Sequence, residues 1–255
     1  MDIRSIRAIV TGGASGLGLA VARRVVAEGG RVALLDVQET AGAAAVAELG
    51  AAATFVKCDV TDEAGVNAAV AAAHAALGGL NLVVNCAGVI GAGRLLGRDG
   101  PMAGSFFTKV VQINLIGTLL VDKACAALMQ NETCNAEGER GLIVHTSSVA
   151  AYEGQVGQIA YSATKAAVVG MVLPMARELS RLGIRVMAIA PGVFETPMAG
   201  GMTDELRASL SAQVPFPSRL GRPEEFAELV VAIVRNPMLN GETIRLDGAI
   251  RMQPK

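Results

Sequence analysis

Short aliphatic and β-branched runs alternate with alanine-rich stretches from the start of the chain, and this alternation narrows the fold more than any other feature. Residues 7–11, 31–36, 53–59 and 80–85 read as strands. Residues 17–28, 41–49 and 62–77 read as helices, the last capped by Thr61 or Asp62. Strands that alternate with helices build βαβ units, and βαβ units build a parallel sheet. The pattern continues with a helical region over 106–129, a polar connection over 130–141, a strand at 141–148 and a long helix at 158–182. A strand at 184–190, helices at 204–212 and 223–235, and a last strand at 243–246 complete it. The expected architecture is α/β, one domain over residues 1–255, with a doubly wound parallel sheet of seven strands and helices on both faces. Strands covered on both faces account for a composition that is 52% hydrophobic and only 18% charged.

Charge and cysteine usage exclude several function classes. Lys plus Arg number 22 against 23 Asp plus Glu, a net charge of −1, which is no footprint for nucleic acid. No uninterrupted apolar run of ~18 residues occurs, so no membrane span is expected. Cys58, Cys86, Cys125 and Cys134 form no C-x-x-C pair, and His74 and His145 have no ligand spacing, so no metal is expected. Free thiols point to a reducing compartment, and the first residues have no apolar leader core. The expected location is the cytoplasm.

The chemistry lies in three stretches. Directly after the first strand comes Thr11-Gly-Gly-Ala-Ser-Gly-Leu-Gly18. Gly12, Gly16 and Gly18 let the backbone turn tightly against a pyrophosphate, and the helix that follows through Leu17 points its positive end there. Asp36 ends the second strand, where a carboxylate can bind the adenine ribose hydroxyls and repel a 2′-phosphate. Its neighbour is Val37, and Ser15 in the turn is uncharged, so the cofactor expected is NAD. Tyr161 and Lys165 sit at i and i+4 near the start of a long helix, on one face. A nearby ammonium is expected to pull the tyrosine down towards neutrality and make it a general acid or base. Ser148 precedes Tyr161 at the end of a predicted strand, where sites of doubly wound sheets lie.

Together these residues resemble those of the short-chain dehydrogenase/reductase family, a Rossmann-like fold, over essentially the whole chain. The matching stretches are Thr11–Gly18, Asn85-Cys86-Ala87-Gly88, Asn114, Ser148, Tyr161-x-x-x-Lys165 and Pro191-Gly192. Cys86 stands where the family usually has asparagine. Within the family the chain is similar to the type-2 3-hydroxyacyl-CoA dehydrogenases. The resemblance implies NAD-dependent interconversion of a secondary alcohol and a ketone, 3-hydroxyacyl-CoA foremost. It leaves open a hydroxysteroid or another alcohol as substrate, and a 3-oxoacyl-carrier-protein reductase, which Asp36 opposes. A catalytically dead dinucleotide sensor is the rival outside the enzymes, disfavoured by the joint presence of Ser148, Tyr161, Lys165 and Asn114.

The resemblance also implies roles. Tyr161 exchanges a proton with the substrate oxygen, Lys165 holds the nicotinamide ribose, Ser148 steadies the oxygen and Asn114 holds a water. Asp59 and Val60 lie at the adenine. Asn85, Ala87 and Gly88 line the cofactor cleft, and Pro191, Gly192, Val193 and Thr196 meet the nicotinamide end. Phe194, Met198, Met202 and Phe216 bound an apolar substrate cleft, and Gln155 and Gln158 touch substrate. The implied assembly is a homotetramer formed by the helices around 106–129 and 158–182 and the C-terminal segment.

Overall fold

The computed structural model describes residues 1–98, 100–196 and 202–254. Its first half runs β1 (Arg7–Thr11), α1 (Gly16–Ala27), β2 (Arg31–Asp36), α2 (Glu39–Leu49), β3 (Ala53–Lys57), α3 (Glu63–Leu77) and β4 (Leu82–Asn85). A small hairpin follows, β5 (Leu96–Gly97) and β6 (Gly100–Pro101), then α4 (Gly104–Val111), a π-helical turn at Gln112–Ile116 and α5 (Gly117–Met129). The rest is β7 (Gly141–Thr146), α6 (Ile159–Leu179), β8 (Ile184–Pro191), α7 (Asp204–Ala212), α8 (Pro223–Arg235) and β9 (Thr243–Leu246).

Seven strands form one sheet in the order β3-β2-β1-β4-β7-β8-β9, and every pairing is parallel. Side chains alternate between its faces. Ala8, Val10, Leu34, Val84 and Val144 meet α1 and α8 on one face, through Val21, Phe226 and Val230. Ile9, Leu35, Val83 and Ile143 meet α3, α5 and α6 on the other, through Val70, Val121 and Val172. With both faces dry, a strand has no polar side, and all eight residues of β8 are buried. The chain begins in mid-sheet, winds out to β3 and returns to β4 on the far side of β1. The strand order reverses there, and such a reversal leaves a crevice at the carboxyl ends of the strands.

Several boundaries differ from expectation for local reasons. Asp62 is the cap of α3, its carboxylate accepting from Ala64 N–H at 3.1 Å. β3 stops at Lys57, and β7 stops at Thr146, two residues short of Ser148. The π turn interrupts the helical region that starts at Gly104. The hairpin β5–β6 has two residues per strand, too few to show a period in sequence. Two helical stretches, Gly104–Met129 and Ile159–Leu182, reach a mean hydropathy of 1.4 and are long enough to cross a membrane by length and composition. Here α5 packs on α3 and β4, and α6 on β8. Leu119, Ile159 and Leu173 are the large apolar side chains that these stretches leave exposed among the described residues.

Candidate active site

The glycine turn leaves β1 in a shape that side chains would block. Gly12 and Gly16 have φ of +59° and +52°, in the left-handed region. A Cβ on Gly12 would lie 2.9 Å from Ala87 N, and one on Gly18 would lie 2.3 Å from Gly12 O. Thr11 fixes the turn from below, its hydroxyl accepting from Cys86 N–H and Ala87 N–H at 3.1 Å each. Ser15 is the N-cap residue of α1, but its side chain caps nothing. The first-turn N–H groups are left to a ligand, and a cavity of about 290 Å³ opens there, lined by Ala14, Ser15, Gly16 and Glu195 among others. A bare backbone at a helix N-terminus fits a pyrophosphate.

Asp36 is buried beside this turn, its carboxylate accepting from Ala14 N–H and Gln38 N–H at 3.1 Å each. No basic side chain pairs with it among the described residues. Asp59 lies one strand over, its carboxyl held low by Thr61 N–H and the Thr61 hydroxyl. Val60 is buried against Gly117. Asn85 does not turn its side chain to the crevice. It shares a strand face with Val83, and its amide donates to Asp122 Oδ1 at 2.7 Å under α5. Asp122 in turn pairs with His145 Nε2 at 2.8 Å. Burial pushes the Cys86 thiol up to about 11.

The polar cluster forms where β4, β7, the π turn and α6 meet. Ser148 is the N-cap of a single 3-10 turn, Val149–Ala151, and its hydroxyl accepts from Ala150 N–H at 3.1 Å. Tyr161 and Lys165 follow each other on the first turns of α6, the Lys165 Nζ 5.7 Å from the Tyr161 ring centre. Lys165 Nζ donates to Thr146 O at 2.7 Å, and burial pulls its ammonium down to about 8. A Cβ on Gly88 would lie 3.2 Å from Asn114 Oδ1 and 3.7 Å from Lys165 Nζ, so the crevice, Asn114 and Lys165 adjoin.

Other placements depart from expectation. Tyr161 is raised, not lowered. Burial pushes its phenol up, and the Ser148 hydroxyl opposes that push. The lysine is no counterweight here, because it stands over the ring and is bonded to Thr146. Asn114, in the π turn, has its amide occupied: Oδ1 accepts from Val89 N–H at 2.8 Å, and Nδ2 donates to Val89 O at 2.9 Å and Thr164 Oγ1 at 3.2 Å. Phe194 is buried, its ring where a Cβ on Gly221 would be 2.7 Å away, and it lines a cavity together with Val193, Val214 and Gly248. Phe216 is 83% exposed and Met202 half-buried. Met198 lies outside the described residues. Gln155 and Gln158 bond each other at 3.1 and 3.4 Å rather than standing free. Pro191 ends β8, and Gly192, Val193 and Thr196 follow it, half-buried. Sequence reasoning missed Thr164, which donates to Tyr161 O at 2.8 Å and accepts from Asn114; its position inside Tyr-x-x-x-Lys was the available signal.

A phosphate cradle at the reversal of a parallel sheet, with a half-buried tyrosine and a buried lysine at the carboxyl ends of the same strands, is the working end of an oxidoreductase that uses a nicotinamide dinucleotide. A family model described as short chain dehydrogenase matches residues 7–207, and the chain belongs to that family. It is 48% identical over 255 residues to the 3-hydroxyacyl-CoA dehydrogenase type-2 of Bos taurus, covering 99% of this chain and 98% of the relative. It is also 48% identical to the Drosophila melanogaster protein of that name, over 254 residues, covering 99% and 100%. A crystal structure of 3-hydroxyacyl-CoA dehydrogenase type-2 from Mycobacterium avium superposes with a TM-score of 0.92 at 43% identity, covering 98% of both chains.

Proposed function

We propose that this enzyme interconverts a 3-hydroxyacyl-CoA, of S configuration, and the 3-oxoacyl-CoA, with NAD as its dinucleotide. The observation that carries the reading is the packing of Tyr161, Lys165 and Ser148 beside Gly88 and Asn114, in a chain alike from end to end to enzymes named for that reaction. The dinucleotide supplies or accepts the hydride at its nicotinamide ring. Gly12, Ser15, Gly16, Leu17 and Gly18 hold its phosphates, Asp36 its adenine ribose, Asp59 and Val60 its adenine, and the residues after β8 its nicotinamide end. Ser148 donates a hydrogen bond to the substrate oxygen. Tyr161, kept protonated by burial, gives its proton to that oxygen in reduction and recovers it in oxidation. Lys165 binds the nicotinamide ribose.

Exposed Leu119 on α5 and exposed Ile159 and Leu173 on α6 support assembly into a homotetramer, in which such apolar side chains would be covered. The free cysteines support the cytoplasm as the location. The test of the substrate is NADH oxidation with acetoacetyl-CoA, a free 3-ketoester and a 17-ketosteroid. Acetoacetyl-CoA is expected to be reduced with the highest kcat/KM. Inertness towards it, with good turnover of either other ketone, overturns the substrate and leaves the oxidoreductase class intact.

A further inference from the structure

Past β9 the chain runs back across the site. Gly192 N–H donates to Leu246 O at 3.0 Å, and a Cβ on Gly192 would lie 3.0 Å from that of Asp247 and 3.3 Å from Ile250. Residues 252–254 then follow the loop between Ser148 and Tyr161. Met252 N–H donates to Glu153 Oε2 at 3.3 Å, Gln155 Nε2 to Gln253 O at 2.9 Å, and Val156 N–H to Pro254 O at 3.0 Å. One stretch of chain thus touches both the residues after β8 and the loop that leads into Tyr161.

Arg245, at the third position of β9, joins the two sides. Nη1 and Nη2 donate to the two Glu153 oxygens at 2.8 and 3.1 Å. Nε donates to Asp247 Oδ2 at 2.8 Å, and Nη2 also to Ile250 O at 3.1 Å. The guanidinium lies 5.4 Å from the Tyr152 ring centre. Arg251 reaches the same two carboxylates at 3.3 Å each but is 61% exposed, against 24% for Arg245. A two-pronged arginine–carboxylate pair fixes orientation as well as distance. Arg245 reaches no crevice residue directly.

We propose that Arg245 is a positioning residue for the reaction, acting through Glu153 on the 152–158 loop that delivers Tyr161, and through Asp247 on the residues after β8. It sets the separation between the proton-carrying side and the nicotinamide side. The inference rests on the roles given above to Tyr161 and to the residues after β8. A merely decorative pair would leave turnover alone when lost.

The test compares wild type with Glu153→Ala, Arg245→Ala, the double variant and Arg245→Lys, each as the full chain. Val156 amide exchange, the NADH dissociation constant from fluorescence, and kcat and KM for acetoacetyl-CoA are measured. Each single alanine variant is expected to speed Val156 exchange about tenfold as the loop opens locally. Each is expected to lose about tenfold or more in kcat through misplacement, with NADH affinity held within about twofold. The double variant is no worse than the worse single, since both act through one contact. Arg245→Lys falls between, keeping the charge without the fork. Unchanged Val156 exchange, wild-type kcat in folded Arg245→Ala, losses that multiply in the double variant, or a kcat loss explained by lost NADH binding overturns the proposal. Where Arg245→Ala does not fold, Glu153→Gln carries the same expectations. A wild type inert towards acetoacetyl-CoA sinks the substrate reading alone, and the kinetic arm moves to whichever ketone is reduced. A wild type that reduces none sinks both.

Discussion

A half-buried phenol beside a buried ammonium is a costly pair of neighbours, and the cost sets the pH behaviour. Burial raises Tyr161 and lowers Lys165, each towards its neutral form. Tyr161 is therefore a proton donor at neutral pH, suited to ketone reduction. Reduction is expected to fall, and alcohol oxidation to rise, as pH climbs and the phenol gives up its proton. Tyr161→Phe should cut kcat by about two to four orders of magnitude while NADH still binds. Retention of most activity in a folded Tyr161→Phe enzyme would show that the proton travels elsewhere. Asp36 carries a second expectation. It is buried at the mouth of the turn with no basic partner among the described residues, so a 2′-phosphate meets a carboxylate. One such mismatch is easily worth ~1.4 kcal/mol, so kcat/KM should favour NAD over NADP by about tenfold or more. Steady-state kinetics with both cofactors decides it, and Asp36→Ala should narrow the gap. The residues at issue were legible in the sequence because spacing carries them: Tyr161 and Lys165 by one helical turn, Asp36 by its place at a strand end. What the spacing did not carry was direction. Asn85 alternates onto the α5 face, Phe194 into the core, and the Asn114 amide into Val89.

Among the elements, those with long periods or strong punctuation were read within a residue or two. Strands β1 and β2 and helices α7 and α8 match their expected bounds. The π turn was not legible, because an extra residue in one turn barely disturbs an apolar pattern. β7 was read two residues too long, since Ser147 and Ser148 continue a polar strand end as well as they begin a 3-10 turn. Helix α8 offers a measurable case. It starts at Pro223, and the Glu225 side chain accepts from Arg222 N–H at 2.8 Å and from the Arg219 guanidinium at 2.6 and 2.9 Å. These bonds, Arg219 first, hold the Glu225 carboxyl down at about 2 against an ordinary 4.5. A carboxyl lowered by folding adds stability above its ordinary value and loses it as pH falls towards its folded one. The pair is more than a third exposed, so solvent screening leaves about 1 kcal/mol or less. Glu225→Gln should therefore lower the urea midpoint at pH 7 and have little effect at pH 2. An equal loss at both would assign the effect to packing.

For the whole molecule, the proposed tetramer rests on apolar side chains that a single chain leaves exposed. Leu119 on α5 and Ile159 and Leu173 on α6 are exposed in one chain. Light scattering at micromolar concentration is expected to give a tetramer, and a stable monomer would leave those side chains without a purpose. The strand order has its own consequence for a chain made one residue at a time. β4 pairs with β1 on one side and with β7 on the other, yet Asn85 and Thr146 stand far apart in the chain. At roughly 5–20 residues per second, a ribosome needs about 3–12 s to travel between them. Over that interval the nascent sheet ends in a bare strand, and α4 and α5 emerge before the layer they flank is complete. The time of greatest exposure to wrong partners is thus written into the order of the strands, and it closes only when β7 arrives.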